Sequence, residues 1–303
     1  MSMPTVPIRL VALDLDGTLL SQHNQITPRT RQAIADAAAR GTAIVLATGR
    51  PLCSIPPVAA QLPGLRYAIT SNGAAVWDLG PRPLAAVYSR YADAAARDTA
   101  EPVCLIRRVM PERAARQAYA LFREYGGDLS LFADGRSFKD PAGLAMMMDR
   151  MAQRLSTEAR QPNDGRFTIV DDLDAAFTQR YAAETEKFCM FFEDVEQAQA
   201  ALRRFQALEE VEVVRGSPDD IEVTAAGVDK GEALLALAAR LGIPRAQTLA
   251  VGDSENDRAM LQKAGVAAVM ANGMPEIKAL ADLVSVNDCD HDGVAELFER
   301  LRI

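Results

Sequence analysis

Two aspartates one residue apart close an apolar run in "LVALDLDGTLL": Asp14 and Asp16 stand where the hydrophobic residues stop. Like charges at a strand tip repel, and the arrangement costs stability unless a cation lies between them. A second acidic cluster, "GDSEND", carries Asp253 and Asp257 after another apolar run. Several carboxylates suit magnesium, a hard ion that takes oxygen ligands in an octahedron, keeps several waters and accepts a phosphate oxygen. A carboxylate held against a phosphoryl group at such an ion is placed for nucleophilic attack, giving an aspartyl-phosphate. The competing reading is a plain Asp-x-Asp-Gly turn whose aspartates cap backbone amides.

Other polar residues sit at similar places. Gly17 lets the backbone turn sharply and approach a phosphate. Thr48 and Gly49 in "ATGR" offer a hydroxyl and an amide to a phosphoryl oxygen. Arg50 offers a clamp for another anionic group, or is a surface arginine beside a capped strand end. Asn72 in "SNGA" joins the candidate substrate-binding residues. Lys230 opens the helical stretch "KGEALLALAARLG". Cations prefer helix C-termini, so a lysine there calls for a nearby anion such as phosphate, or is simply exposed.

What must position these residues is a series of strands. "IRLVALDLDG", "TAIVLATGR" and "RYAITSNGA" read as short buried strands, and "TPRTRQAIADAAARG" as a helix with Thr27 and Pro28 at its start and Gly41 at its stop. Near the C-terminus "QTLAVGDSENDRAMLQKAG" repeats the rhythm of strand, acidic turn and helix. Strands alternating with helices predict a parallel sheet covered on its faces, with ligands at the carboxyl edge. All four polar loops follow strands, so they meet at that edge. From residue 85 to 224 the rhythm changes: "KFCMFFED", "VEVVRG" and "DDIEVTA" read as extended, interleaved with the helices "PERAARQAYALFREYGG" and "VEQAQAALRRFQALEE". The expected organisation is an α/β core, a Rossmann-like doubly wound parallel sheet over 1–84 and 225–303, with an inserted α+β cap domain over 85–224. Residues 134–184 are the least readable; "MMMDRMAQRL" there predicts a helix with its methionines in the core.

Composition narrows the class. The chain has 303 residues, 49% of them hydrophobic, with a formal net charge of −8. That length suffices for two domains, and that charge argues against nucleic acid or an anionic membrane as the partner. The four cysteines are scattered and there are two histidines, which disfavours zinc and suits a reduced cytoplasmic protein. No secretory signal and no apolar run of spanning length is visible.

"DLDGTLL", "ATGR", "SNGA", Lys230-Gly231 and "GDSEND", in this order, resemble the haloacid dehalogenase superfamily of phosphatases. The large segment between the second and third motifs resembles its Cof-type branch, which carries an α/β cap. The resemblance implies a Mg²⁺-dependent phosphatase of a small phosphorylated metabolite, a sugar phosphate first, acting through an aspartyl-phosphate. It implies Asp14 as nucleophile and metal ligand, and the Leu15 amide as a phosphate contact. Asp16 would bind the metal through its carbonyl and act as general acid, then base. Thr48 and Gly49 would hold the phosphoryl group, Lys230 neutralise its charge, Asp253 bind the metal, Asn256 touch phosphate and Asp257 support the metal from behind. The loop "VMANGMP" departs from the "AMGNA"-like run of relatives by a shifted glycine. A monomer or homodimer is expected. Alternatives are a phosphomutase, a flavin or pyridoxal phosphate phosphatase, and a non-catalytic ligand-binding protein on the same fold.

Overall fold

The computed structural model of the protein describes residues 6–80, 102–154 and 167–303. The chain forms β1 (Leu10–Leu13), β2 (Ala43–Ala47), β3 (Leu65–Thr70), β4 (Ala75–Asp78) and β5 (Val103–Arg107). Then come β6 (Asp128–Ala133), β7 (Arg136–Lys139), β8 (Thr168–Ile169), β9 (Lys187–Phe191), β10 (Val211–Val214) and β11 (Asp220–Ala225). The last strands are β12 (Thr248–Gly252), β13 (Val266–Val269) and β14 (Leu283–Val284). Described residues within Met1–Gly49, Ile55–Ile106 and Asp229–Ile303 make one compact unit; Arg50–Ser54 and Arg107–Val228 make the second.

The first unit is built on a sheet of order β14-β13-β12-β1-β2-β3-β4-β5. β1 pairs in parallel with both β12 and β2, and β2 with β3. These strands are apolar at nearly every position because both faces are covered. Leu10, Ala12, Val45 and Ala250 pack with Leu234 and Leu237 of the helix Lys230–Arg240 and Leu261 of the helix Arg258–Lys263. The helices Pro28–Ala39 and Gly293–Leu301 pack on each other. The first of these starts as its sequence predicts, with Thr27 Oγ1 accepting from Thr30 N at 3.2 Å and Pro28 at its first turn.

Register sets the site. Leu13 pairs with Val251 on one side and Leu46 on the other, so β1, β12 and β2 end level. Asp14 N then donates to Val251 O at 3.0 Å, Thr48 N to Ile69 O at 2.9 Å and Asn72 N to Thr48 O at 3.2 Å. Asp14, Thr48, Asn72 and Asp253 thereby stand at one edge of one sheet.

The second unit holds a sheet of order β10-β11-β9-β6-β7-β8, antiparallel except for β7 with β8. One face is aromatic: the Phe188 ring packs at a tilt, centroids 5.7 Å apart, against Phe122 of the helix Glu112–Tyr125, whose ring centroid lies 4.2 Å from that of Phe205 of the helix Val195–Gln206. The other carries buried ion pairs, Lys187 with Glu222 and Lys139 with Asp128. Arg150 adds a contact to Asp128 at 3.1 Å and lies 3.6 Å over the Phe191 ring.

Among the described residues, those within Arg107–Val228 make the second unit together with Arg50–Ser54, where Cys53 N donates to Gly135 O at 2.9 Å, while β5 lies at the edge of the first sheet. The methionine-rich stretch is helical, Pro141–Arg154, but Met147 is buried while Met146 is 45% exposed, so only part of the run is core. Among the described residues, no helix is long and apolar enough to cross a membrane.

Candidate active site

Lys230 is the first residue of its helix because Asp229 caps it, its carboxylate accepting from Glu232 N at 2.8 Å. From there Lys230 Nζ donates to Asp14 Oδ1 at 2.6 Å and to Asp257 Oδ1 at 2.7 Å. The other oxygen of Asp257 accepts from the amides of Asp253 at 2.9 Å and Ser254 at 3.2 Å. Thr18 Oγ1 donates to Asp253 Oδ1 at 3.1 Å. The lysine's misfit with the helix dipole is thus offset by two carboxylates.

Glycines make this proximity feasible. Gly17 has φ +84°, and a Cβ there would fall 2.5 Å from Asp253 Oδ2. A Cβ on Gly252 would fall 2.5 Å from the Asp257 carboxyl carbon.

The electrostatics are unbalanced. Burial pushes the Asp14 carboxyl well above the usual range; Asp257 pushes it further, and Lys230 only partly opposes them. Burial and Asp257 push Asp253 up to about 7, against the Thr18 hydrogen bond. Lys230 is pulled down by burial, yet Asp14 and Asp257 together hold it above the ordinary lysine range. One ammonium therefore faces more carboxylate charge than it neutralises. The donor set fits a hard cation: Asp14, Asp253 and Asp257 each offer an oxygen, all within 4.8 Å of one another.

The remaining predicted residues are placed as follows. The Asp16 side chain is exposed and outside this carboxylate group. Leu15 is fully buried, its carbonyl accepting from Leu20 N at 2.8 Å. Thr48 is buried, Gly49 half-buried, and Asn72 is buried with φ 57°. Asn256 is half-buried and accepts from Ser254 Oγ at 3.0 Å. Arg50 belongs to the second unit, where its Nη1 donates to Ser54 O at 3.3 Å. Sequence reasoning passed over Thr18, Asp229 and Gly252; Thr18 lies inside "DLDGTLL", Gly252 opens "GDSEND" and Asp229 directly precedes Lys230. It also offered no metal-like group in the second unit, where Cys189, Asp220 and Glu222 approach one another. Glu222 is already paired there with the Lys187 ammonium.

Phosphatase YwpJ of Bacillus subtilis (strain 168) is 26% identical over 297 residues, which is 97% of this chain and 100% of that protein. The 5-amino-6-(5-phospho-D-ribitylamino)uracil phosphatase YcsE of the same organism is 27% identical over 291 residues, 96% of this chain and 94% of that one. A solved haloacid dehalogenase-like hydrolase from B. subtilis shares the fold, with a TM-score of 0.77 at 24% identity, covering 97% of this chain and 100% of that chain. The model of the haloacid dehalogenase-like hydrolases matches residues 11–89 and 94–298, and the chain belongs to that family.

Proposed function

We propose that this hydrolase cleaves phosphoric monoesters of small metabolites, sugar phosphates first, through a covalent phosphoryl group on Asp14. The observation that carries the reading is the buried carboxylate of Asp14, paired with Lys230 and grouped with Asp253 and Asp257 at the strand tips. Asp14 attacks phosphorus as its ionised form. Lys230 favours that form against the pull of burial, and its charge meets the charge of the phosphoryl oxygens. Thr48 and the Gly49 amide hold the phosphoryl group, joined by the Leu15 amide and Asn256. The exposed carboxyl of Asp16 gives a proton to the departing alkoxide. It then takes one from the water that attacks the phosphorylated Asp14, releasing inorganic phosphate. Asp14, Asp253 and Asp257 would hold Mg²⁺, which would supply charge neutralisation at the phosphoryl oxygens.

The sugar-phosphate preference is supported by YcsE, whose named substrate carries a phosphorylated ribityl chain. The test is a panel of phosphate esters with Mg²⁺, scored by released phosphate, with Asp14→Asn as the control. Sugar and sugar-alcohol phosphates turned over by the parent protein and not by the variant support the reading. Undiminished turnover by the variant, or none by the parent on any ester, overturns it.

A further inference from the structure

The loop "VMANGMP" departs from the run expected of relatives, and the structure shows what it does. Its backbone is fixed at several points. Met270 N donates to Gly252 O at 3.1 Å, Ala271 N to Ser285 Oγ at 2.8 Å, and Met274 N to Asp253 O at 2.9 Å. Lys278 Nζ donates to Ala271 O at 2.5 Å. Gly273 suits the crowded turn, since a Cβ there would fall 2.7 Å from Val269 Cγ1 and 3.2 Å from Asp253 O.

On this fixed backbone the Asn272 amide spans two other loops. Its Nδ2 donates to Gly17 O at 2.7 Å, and its Oδ1 accepts from Cys289 N at 3.1 Å. A carbonyl only accepts and an N–H only donates, so the orientation of the amide is determined by its partners. Gly17 is the residue at which any Cβ would collide with the Asp253 carboxylate, and its neighbour Thr18 donates to that carboxylate. The same loop therefore grips Asp253 by its main chain and the Gly17 turn by the Asn272 side chain.

We propose that Asn272 is a positioning residue for the cation site, holding the Gly17 turn in register with Asp253. The proposal rests on the cation-dependent reading above. A side chain anchored on a rigid loop gives up little freedom in making its bonds, so an exposed amide can serve here.

The test compares Asn272→Asp and Asn272→Ala with the parent protein, reading Mn²⁺ binding directly by the paramagnetic resonance signal of the free ion, with Mg²⁺ as competitor. Asn272→Asp has the parent's shape and keeps the acceptor for Cys289 N, but sets an oxygen against Gly17 O. By charge alone it draws a cation more tightly; by positioning it binds more weakly. The expected result is weaker Mn²⁺ binding in both variants, by roughly fivefold, as for one lost hydrogen bond. Melting temperatures in chelator are followed alongside, because a merely structural role lowers them without changing affinity well below the transition. Should Asn272→Ala fail to fold, Asn272→Asp decides alone. Unchanged or tighter binding in Asn272→Asp overturns the role of Asn272 while leaving the cation reading intact. Absence of Mn²⁺ binding by the parent protein overturns both.

Discussion

Lys230 Nζ donates to Asp257 Oδ1 at 2.7 Å with neither side chain exposed to solvent. The same ammonium bridges to Asp14. Removing it leaves two buried carboxylates facing each other, which is the costly way to break a buried ion pair. Lys230→Met is expected to lose about 3–5 kcal/mol of stability in chelator and at least about 100-fold in turnover. Denaturant titration and phosphate release measure the two effects. A variant as stable and as active as the parent would show that the pair does neither job.

The two aspartates at the tip of β1 are expected to fail differently. Asp14→Asn cannot form the covalent intermediate, since an amide is a poor nucleophile. Asp16→Asn keeps the nucleophile, and an aryl phosphate with a good leaving group needs little protonation, so its first step survives better. Hydrolysis then lacks its base, and phosphorylated protein accumulates. Rapid quench with a labelled aryl phosphate reads this as acid-stable, alkali-labile label on the Asp16 variant. Label on Asp14→Asn and none on Asp16→Asn would reverse the roles.

Chelation is expected to abolish turnover and Mg²⁺ to restore it. Ca²⁺ is expected not to, because it prefers longer bonds and more ligands and engages a carboxylate through both oxygens, leaving Asp14 none free to attack. Full turnover in excess chelator would remove the cation from the reaction.

Asp220 in the second unit predicts a pH dependence of stability. Burial, then the neighbouring Glu222, pushes it up to about 7, against hydrogen bonds from the Ser217 and Gly216 amides. A carboxyl whose folded pKa lies above its unfolded value binds more protons when folded. Its contribution is complete below about pH 4 and is lost as pH rises through about 7. Stability is therefore expected to decline over that window, and Asp220→Asn, which retains an acceptor for Gly216 N, to flatten the decline. An identical slope in variant and parent would assign the dependence elsewhere.

The sites at the sheet edge were legible because apolar runs stop abruptly at Asp14, Thr48 and Asp253, and a parallel sheet brings such stops together. Lys230 announced itself by standing at the wrong end of a helix. The β6–β7 hairpin carries a good turn signal, Asp134-Gly135, both with positive φ. What obscures it is that Asp128 and Ser130, which alternate with Leu129 and Leu131, are buried too, so polarity there does not mark a solvent face. The reach of the second unit to Arg50 was not legible either, since "ATGR" reads as one continuous motif while contacts separate Arg50 from Gly49. The loop of Asn272 stood out in the sequence, but nothing local points to its partner Gly17, which lies 255 residues away along the chain.

β1 lies between two strands of very different provenance. Leu10 pairs with Ala43 on one flank and with Thr248 on the other. During synthesis the first pairing can form early, while the second waits for almost the whole chain to emerge. Until β12 arrives, β1 presents an apolar, unpaired parallel edge, a template for association with another nascent chain. The strand that carries Asp14 is thus the one left longest without its neighbour. Folding should be slow for a chain of this length and sensitive to concentration, with the grouping of Asp14, Asp253 and Asp257 as the last feature to appear.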